Sequence, residues 1–336
     1  MDTLMDTKAS LRKLILEAKV RLPESLIAME ALDAPAIIAT LELASRFQQE
    51  DADALNSLFR GKIIGTLFYQ PSTRTKFSFE SAAQRLGMGV TGFADPATTR
   101  AGDFYKESLE DVIRFTSELV DLIVLRHPQT GSTQVAVKNS VVPIISAGDG
   151  YGQHPTQALG DLFTMQQCLG PLSEKTIGMI GDANLRTLKA VSLGLATIGV
   201  KRLVYLLPRD KAFPDELRLA FNARSITFDF VDHVDDLLGQ VDLVESIGMN
   251  HPYRNAQGQL VSPAATDKEA HDISWYQLSR AALEKVRDRP MPYVMHPGPR
   301  TDELLPDVDK LPCARYFHQT RAGMWVRMAL IAALCP

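Results

Sequence analysis

The chain has 336 residues, 45% of them apolar, and a net charge of −4. At roughly 100–200 residues per domain, that length suggests two domains, each with enough apolar residues for a sizeable core. A slightly acidic chain offers no basic surface for nucleic acid, no apolar run approaches a membrane span, and no secretory leader is visible. The cysteines, Cys168, Cys313 and Cys335, lie far apart and lack metal-ligand spacing. The expectation is a reduced, cytoplasmic protein with no metal and no cofactor.

In chain order, Leu11 to Leu22 reads as a short amphipathic helix within an extension covering residues 1–24. Ala34 to Phe47 is a stronger helix, with Ile37, Ile38, Leu41, Leu43 and Ala44 in register. Apolar, β-branched runs then alternate with helical stretches. They are Ile63–Phe68, Leu122–Leu125, Val142–Ser146, Thr176–Ile180, Leu203–Leu207, Ile226–Phe230, Leu243–Glu245 and Tyr293–Met295. Alternation of this kind predicts an α/β protein with doubly wound parallel sheets covered by helices. Sites in such sheets lie at the carboxyl ends of strands, where Arg126, His154, Asp182 and His296 all fall. The turn-rich stretch 168–173 marks a boundary, giving domains at 25–168 and 169–322 and a final helical segment at 323–336.

The stretch Phe68-Tyr-Gln-Pro-Ser-Thr-Arg-Thr-Lys-Phe-Ser-Phe-Glu80 joins a buried strand to a helix N-terminus. Ser72 offers an N-cap hydroxyl, and Thr75 to Leu86 carries a helical apolar spacing. Backbone N–H groups, hydroxyls and Arg74 together suit a phosphate dianion. On these residues alone, a capped helix with a surface arginine fits equally well. Elsewhere the bland readings are a rim arginine at Arg126 paired with Asp121, a capping histidine at His154, and exposed helix positions at Gln157 and Asp161. Gly181-Asp182 follows a strand, but the remaining glycines of a dinucleotide fingerprint are missing.

Ser72-Thr-Arg-Thr75 with Phe77-Ser-Phe-Glu80 resembles the carbamoyl-phosphate signature of the aspartate and ornithine carbamoyltransferase family. Arg126-His-Pro-Gln129, His154-Pro-Thr-Gln157 and His296-Pro-Gly-Pro-Arg300 follow in the family's order. The tail motifs Asp307-Val-Asp-Lys310 and Tyr316-Phe-His-Gln319 resemble aspartate carbamoyltransferases most. The resemblance implies a carbamoyl-phosphate domain, an acceptor domain and a C-terminal helix that returns to the first. It implies that Ser72, Thr73, Arg74, Thr75 and Arg126 hold phosphate. Thr75, Arg126 and His154 would surround the carbonyl oxygen. Gln157, with backbone carbonyls near Gly298 and Pro299, would take the carbamoyl N–H groups. Arg186 would bind the acceptor's carboxylate. A homotrimer with shared sites is implied, the loop 98–107 reaching a neighbour.

The sequence departs from the aspartate pattern on the acceptor side. Gly248 and Asn250 stand where aspartate enzymes carry an Arg-x-Gln pair, and Ser246-Ile-Gly248 is similar to the Ser-Met-Gly of ornithine enzymes. The family glutamate before the phosphate motif is Gln70. In the loop, Ala101 and Tyr105 replace a serine and a lysine, with Lys106 one residue off. The expected function is carbamoyl transfer from carbamoyl phosphate to a small amino acid, with an acceptor other than L-aspartate in view. The alternatives are an L-aspartate enzyme whose clamp is relocated to Arg254, and a non-catalytic relative that binds a partner. Glu245 is a further candidate, to meet a cationic or polar acceptor group.

Overall fold

The computed structural model describes residues 2–102, 106–209, 211–248 and 273–336, with backbone alone for 2–6 and for two short strands, Tyr253–Arg254 and Leu260–Val261. Asn250 and Tyr105 lie outside the described residues. Backbone proximity divides the chain into two compact units. The first comprises Met1–Thr164, Leu185–Ile198 and Thr320–Pro336; the second comprises Met165–Asn184 and Gly199–Gln319. Arg186, placed by the sequence reading in the second domain, thus belongs to the first unit.

The first unit runs α1 (Asp2–Lys19), α2 (Ala34–Gln49), α3 (Ala52–Asn56), β1 (Ile63–Phe68), α4 (Arg74–Arg85), β2 (Gly89–Phe93), α5 (Leu109–Ser117), β3 (Leu122–His127), α6 (Ser132–Asn139) and β4 (Ile144–Asp149). The helix α7 (Pro155–Leu169) leads out of it. Its sheet is parallel, in the order β2-β1-β3-β4. The central strands read as continuous apolar runs because both faces are covered; Ile64, Leu67, Ile123, Val124, Leu125, Ile144 and Ile145 are all buried. β2 is an edge strand with exposed Gly89, Thr91 and Gly92, so no apolar run announced it. In α1, Leu11, Ile15 and Ala18 are buried and the helix packs on α2 and α3. Lys19 Nζ donates to the carbonyl of Cys335 (3.3 Å), so the extension is part of this unit's core.

The second unit contains β5 (Thr176–Ile180) and then, after α8 (Arg186–Thr197) of the first unit, β6 (Arg202–Leu206), α9 (Asp215–Ala223), β7 (Thr227–Phe230), α10 (Val234–Leu238) and β8 (Leu243–Ser246). The strands β9 (Tyr253–Arg254) and β10 (Leu260–Val261) pair antiparallel, and α11 (Arg280–Leu283) and β11 (Tyr293–Met295) follow. Its main sheet is parallel, in the order β11-β8-β5-β6-β7. The last helix, α12 (Tyr316–Leu334), ends in the first unit. The parallel sheets and C-terminal helix agree with the expected doubly wound α/β class. Among the described residues, no helix is long and apolar enough to cross a membrane.

Strand order reverses between β1 and β3 in the first sheet and between β5 and β8 in the second. In an open parallel sheet, such a reversal leaves a crevice at the strands' carboxyl ends. In the first unit that crevice is flanked by Phe68 and Arg126, which are register partners.

Candidate active site

α4 begins at Arg74 with Thr73 at the cap position; Thr73 has helical backbone angles and makes no side-chain cap bond. The expected Ser72 cap is therefore corrected. With no side chain closing the turn, its backbone N–H groups remain available to a ligand. Ser72 is half-buried, Thr73 and Arg74 are exposed, and Thr75 is buried. Hydroxyls, N–H groups and a guanidinium thus meet at the end of β1. The helix is tied back to the sheet by Glu80, which accepts from Thr66 Oγ1 (3.1 Å) and pairs with Lys76.

Arg126 leaves β3 beside this turn. Its Nη1 donates to the carbonyl of Ala147 (3.1 Å), and its buried Nε has no partner among the described residues. The sequence alternative of an Arg126–Asp121 pair does not occur, because Asp121 binds Lys62 Nζ (2.9 Å) and the N–H of Ile63 (2.7 Å). Burial, then Arg186, Arg74 and Arg327, push the Arg126 guanidinium down to about 9. Guanidiniums crowded in this way form a pre-assembled anion site, because a bound anion relieves their mutual repulsion.

Asp149, at the end of β4, organises the next segment. Its Oδ2 accepts from the N–H of Gly131 and from Thr133 Oγ1, both at 3.1 Å, and its Oδ1 from the N–H of Gln153 (3.1 Å). The segment it anchors delivers His154, whose backbone carbonyl closes the first turn of α7 by accepting from Gln157 (3.0 Å) and Ala158 (3.1 Å). The ring is buried, and its Nδ1 has no partner among the described residues. Burial, followed by Arg126, Arg186 and Arg327, holds the imidazole well below its usual range, so it is neutral at pH 7. A neutral imidazole among guanidiniums is suited to donate to a carbonyl oxygen without adding another charge.

Arg186, the first residue of α8, donates from Nη1 to the carbonyl of Gly150 (3.2 Å) and from Nη2 to Gln70 Oε1 (3.1 Å). Both acceptors are neutral, so neither cancels its charge. Gly148 makes room for it: with φ at +110°, a Cβ there would lie 3.2 Å from the Arg186 Cζ. On α7, Gln157 is half-buried and donates from Nε2 to Asp161 (2.8 Å), and Asp161 is fully buried. The exposed-helix alternative for these two residues is thereby excluded.

Sequence reasoning did not single out Asp149, Gln153 or Arg327. Arg327 is buried on α12, 5.2 Å from the Phe79 ring centroid, and donates to Gln157 Oε1 (3.4 Å). A signal for it existed: it is the one charged residue from Gly323 to Leu334.

In the second unit, Ser246 ends β8 with its Oγ buried and without a partner among the described residues, and Gly248 follows two residues on. The Arg254 backbone lies in β9. Glu245 is not a solvated strand end: it is fully buried and accepts from Gln319 Nε2 (3.1 Å). After β11, Gly298 and Pro299 are joined by a cis peptide bond, and the N–H of Gly298 donates to His296 Nδ1 (2.8 Å). His296 therefore carries its proton on Nε2 and donates to Glu303 Oε1 (2.8 Å), which also accepts from the N–H of Thr301 (2.8 Å).

Burial alone would raise the Glu303 carboxyl, but these hydrogen bonds, with Thr301 Oγ1, hold it at about 2. A lowered carboxylate contributes stability above its unfolded value near 4.5 and loses it as pH falls toward 2. Glu303→Gln is expected to flatten the pH dependence of urea unfolding across that window, by about 3 kcal/mol. An unchanged acid slope would contradict the assignment.

A family model described as "Aspartate/ornithine carbamoyltransferase, carbamoyl-P binding domain" matches residues 24–167, and one described as "Aspartate/ornithine carbamoyltransferase, Asp/Orn binding domain" matches 173–334. The aspartate carbamoyltransferase catalytic subunit of Clostridium novyi is 37% identical over 84% of this chain and 89% of its own length. That of Thermoplasma volcanium is 37% identical over 82% and 85%. Among solved structures, aspartate transcarbamoylase from Trypanosoma cruzi in complex with carbamoyl phosphate is 28% identical, with a TM-score of 0.84 over 95% of this chain and 98% of that one. The same protein in complex with aspartate and phosphate gives a TM-score of 0.82 over 95% and 97%.

Proposed function

This chain belongs to the aspartate and ornithine carbamoyltransferase family, and we propose that it transfers the carbamoyl group of carbamoyl phosphate to the amino group of a small amino acid. The observation that carries the reading is the guanidinium cluster of Arg74, Arg126 and Arg186 around a neutral, buried His154. Ser72, Thr73, Arg74, Thr75 and Arg126 take the phosphate. Thr75, Arg126 and His154 polarise the carbonyl oxygen. Gln157 and the carbonyls of Gly298 and Pro299 take the carbamoyl N–H groups.

The amine lone pair attacks the carbonyl carbon, and negative charge develops on the oxygen facing Arg126 and His154. The C–O bond to phosphate then breaks, phosphate leaves with the electron pair, and it accepts the proton lost by the amine. Holding both reactants in position supplies the remaining advantage. Arg186, whose hydrogen-bond acceptors are both neutral, takes the acceptor's α-carboxylate. The proposed assembly is a homotrimer with the loop 98–107 near a neighbour's site. The described cysteines are all free, which supports a reducing compartment, the cytoplasm.

The acceptor has two readings. L-aspartate is favoured by the relatives, including the aspartate complex of the Trypanosoma cruzi protein. A different acceptor is favoured by Gly248, which has no side chain to grip a distal carboxylate where aspartate enzymes carry arginine. A screen of amines with carbamoyl phosphate, read by phosphate release, separates the two. Turnover of L-aspartate that is lost in Arg254→Ala supports the relocated clamp; turnover of another amine with aspartate ignored supports the new acceptor. Arg186→Ala should raise the acceptor KM at least tenfold, consistent with loss of a charge-assisted pair. No turnover on any amine would contradict the proposal and favour a non-catalytic relative.

A further inference from the structure

We infer that Arg327 and Asp161 are positioning residues that fix the side-chain amide of Gln157, so that the site distinguishes carbamoyl phosphate from inorganic phosphate. This rests on the donor reading given above. Asp161, whose carboxylate attracts the buried Arg327 guanidinium, accepts from Gln157 Nε2 at 2.8 Å. Arg327 only donates, and it faces Gln157 Oε1 at 3.4 Å. An amide between an obligate acceptor and an obligate donor has one stable orientation, because the flipped form would set N–H against guanidinium and carbonyl against carboxylate. Gln157 Oε1 then keeps a lone pair for a carbamoyl N–H, a group that inorganic phosphate lacks.

The backbone builds this clamp. A Cβ on Gly160 would stand 3.0 Å from the Gly323 Cα, so α7 and α12 approach closely there, and a Cβ on Gly323 would stand 2.8 Å from Arg327 Nη1, so the missing side chain makes room for the guanidinium. Gln157 lies three residues before Gly160 on α7, and Arg327 lies one turn past Gly323 on α12. Phe79, from α4, closes against the guanidinium. Burial pushes Arg327 down to about 10, and the attraction of Asp161 opposes this. The two charges balance each other and leave the amide between them as the polar group presented to a ligand.

The test compares carbamoyl phosphate and inorganic phosphate binding by calorimetry in wild type, Arg327→Met, and the paired replacement Asp161→Leu with Arg327→Met. The pair removes both charges and strands neither, so it is expected to fold with little change in Tm. For the pair, which leaves the net charge unchanged, the expected result is at least a tenfold loss of carbamoyl phosphate affinity, with phosphate affinity held within about twofold; Arg327→Met alone also removes one of the guanidiniums crowded on Arg126 and is expected to weaken both ligands. In a Gln157→Ala background the pair should cause no further loss. Arg327→Lys, which retains a donor, should recover part of the discrimination. Equal losses for both ligands in the pair, or an unchanged ratio, would overturn the inference. A wild type that does not bind carbamoyl phosphate would instead remove the donor reading itself.

Discussion

Arg126→Met is expected to lower kcat/KM by about 10³-fold while leaving the ligand-free protein at least as stable as wild type. The activity loss follows from the role proposed for Arg126, a donor to both the phosphate and the developing oxyanion; deleting one oxyanion contact alone costs roughly 10²–10³ in rate. The stability expectation comes from the ground state. Among the described residues, the Arg126 side chain makes one hydrogen bond, to Ala147, and sits within range of three other guanidiniums. Methionine keeps the aliphatic stem and removes that repulsion, so Tm should be unchanged or higher by a few degrees. Steady-state kinetics and thermal melts without anion check both halves. A sharp fall in Tm would show that Arg126 is a structural residue, and retained activity would remove it from the chemistry.

Asp149→Ala is expected to have the opposite signature, a loss of about 3–5 kcal/mol in the first unit. One buried carboxylate satisfies the N–H groups of Gly131 and Gln153 and the hydroxyl of Thr133. Alanine leaves all three without that acceptor, and it removes the carboxylate whose attraction favours the Arg186 charge. Activity should fall as well, because the same segment supplies the Gly150 carbonyl to Arg186 and carries His154. Asp149→Asn should lose less stability, retaining one acceptor oxygen but presenting an amide to donors. Urea unfolding of the two variants checks the order; a loss below about 1 kcal/mol for alanine would contradict it.

These two residues show how far the sequence could be read. Arg126 was legible because an apolar strand, Leu122 to Leu125, ends on it. Its crowding by Arg74, Arg186 and Arg327 was not, because that depends on strand register and on a helix nearly 200 residues away. Asp149 was not singled out; its neighbours Gly148 and Gly150 resemble an ordinary turn, and its partners come from three different places in the chain. The buried parallel strands announced themselves as apolar runs, whereas β2, a glycine-containing edge strand, had no such run to show. The anion turn at Ser72 to Thr75 was legible in composition, but the cap fell at Thr73, and no hydroxyl closes the helix. On the acceptor side, the absence of an arginine at Gly248 was legible. The residues 249–252 and 255–259, which flank the proposed Arg254 clamp, lie outside the described structure.

The central claim is a donor site built from the Ser72–Thr75 turn, Arg126 and His154, and ligand-dependent melting tests it most directly. Carbamoyl phosphate at about 100 times its Kd should stabilise the wild type by about 2.7 kcal/mol, which raises Tm by roughly 5 °C or more. Inorganic phosphate should give a smaller rise at the same concentration. Arg74→Ala, which removes an exposed charge and leaves the fold intact, should abolish most of both shifts. A wild-type protein whose Tm does not move with either ligand would contradict the account.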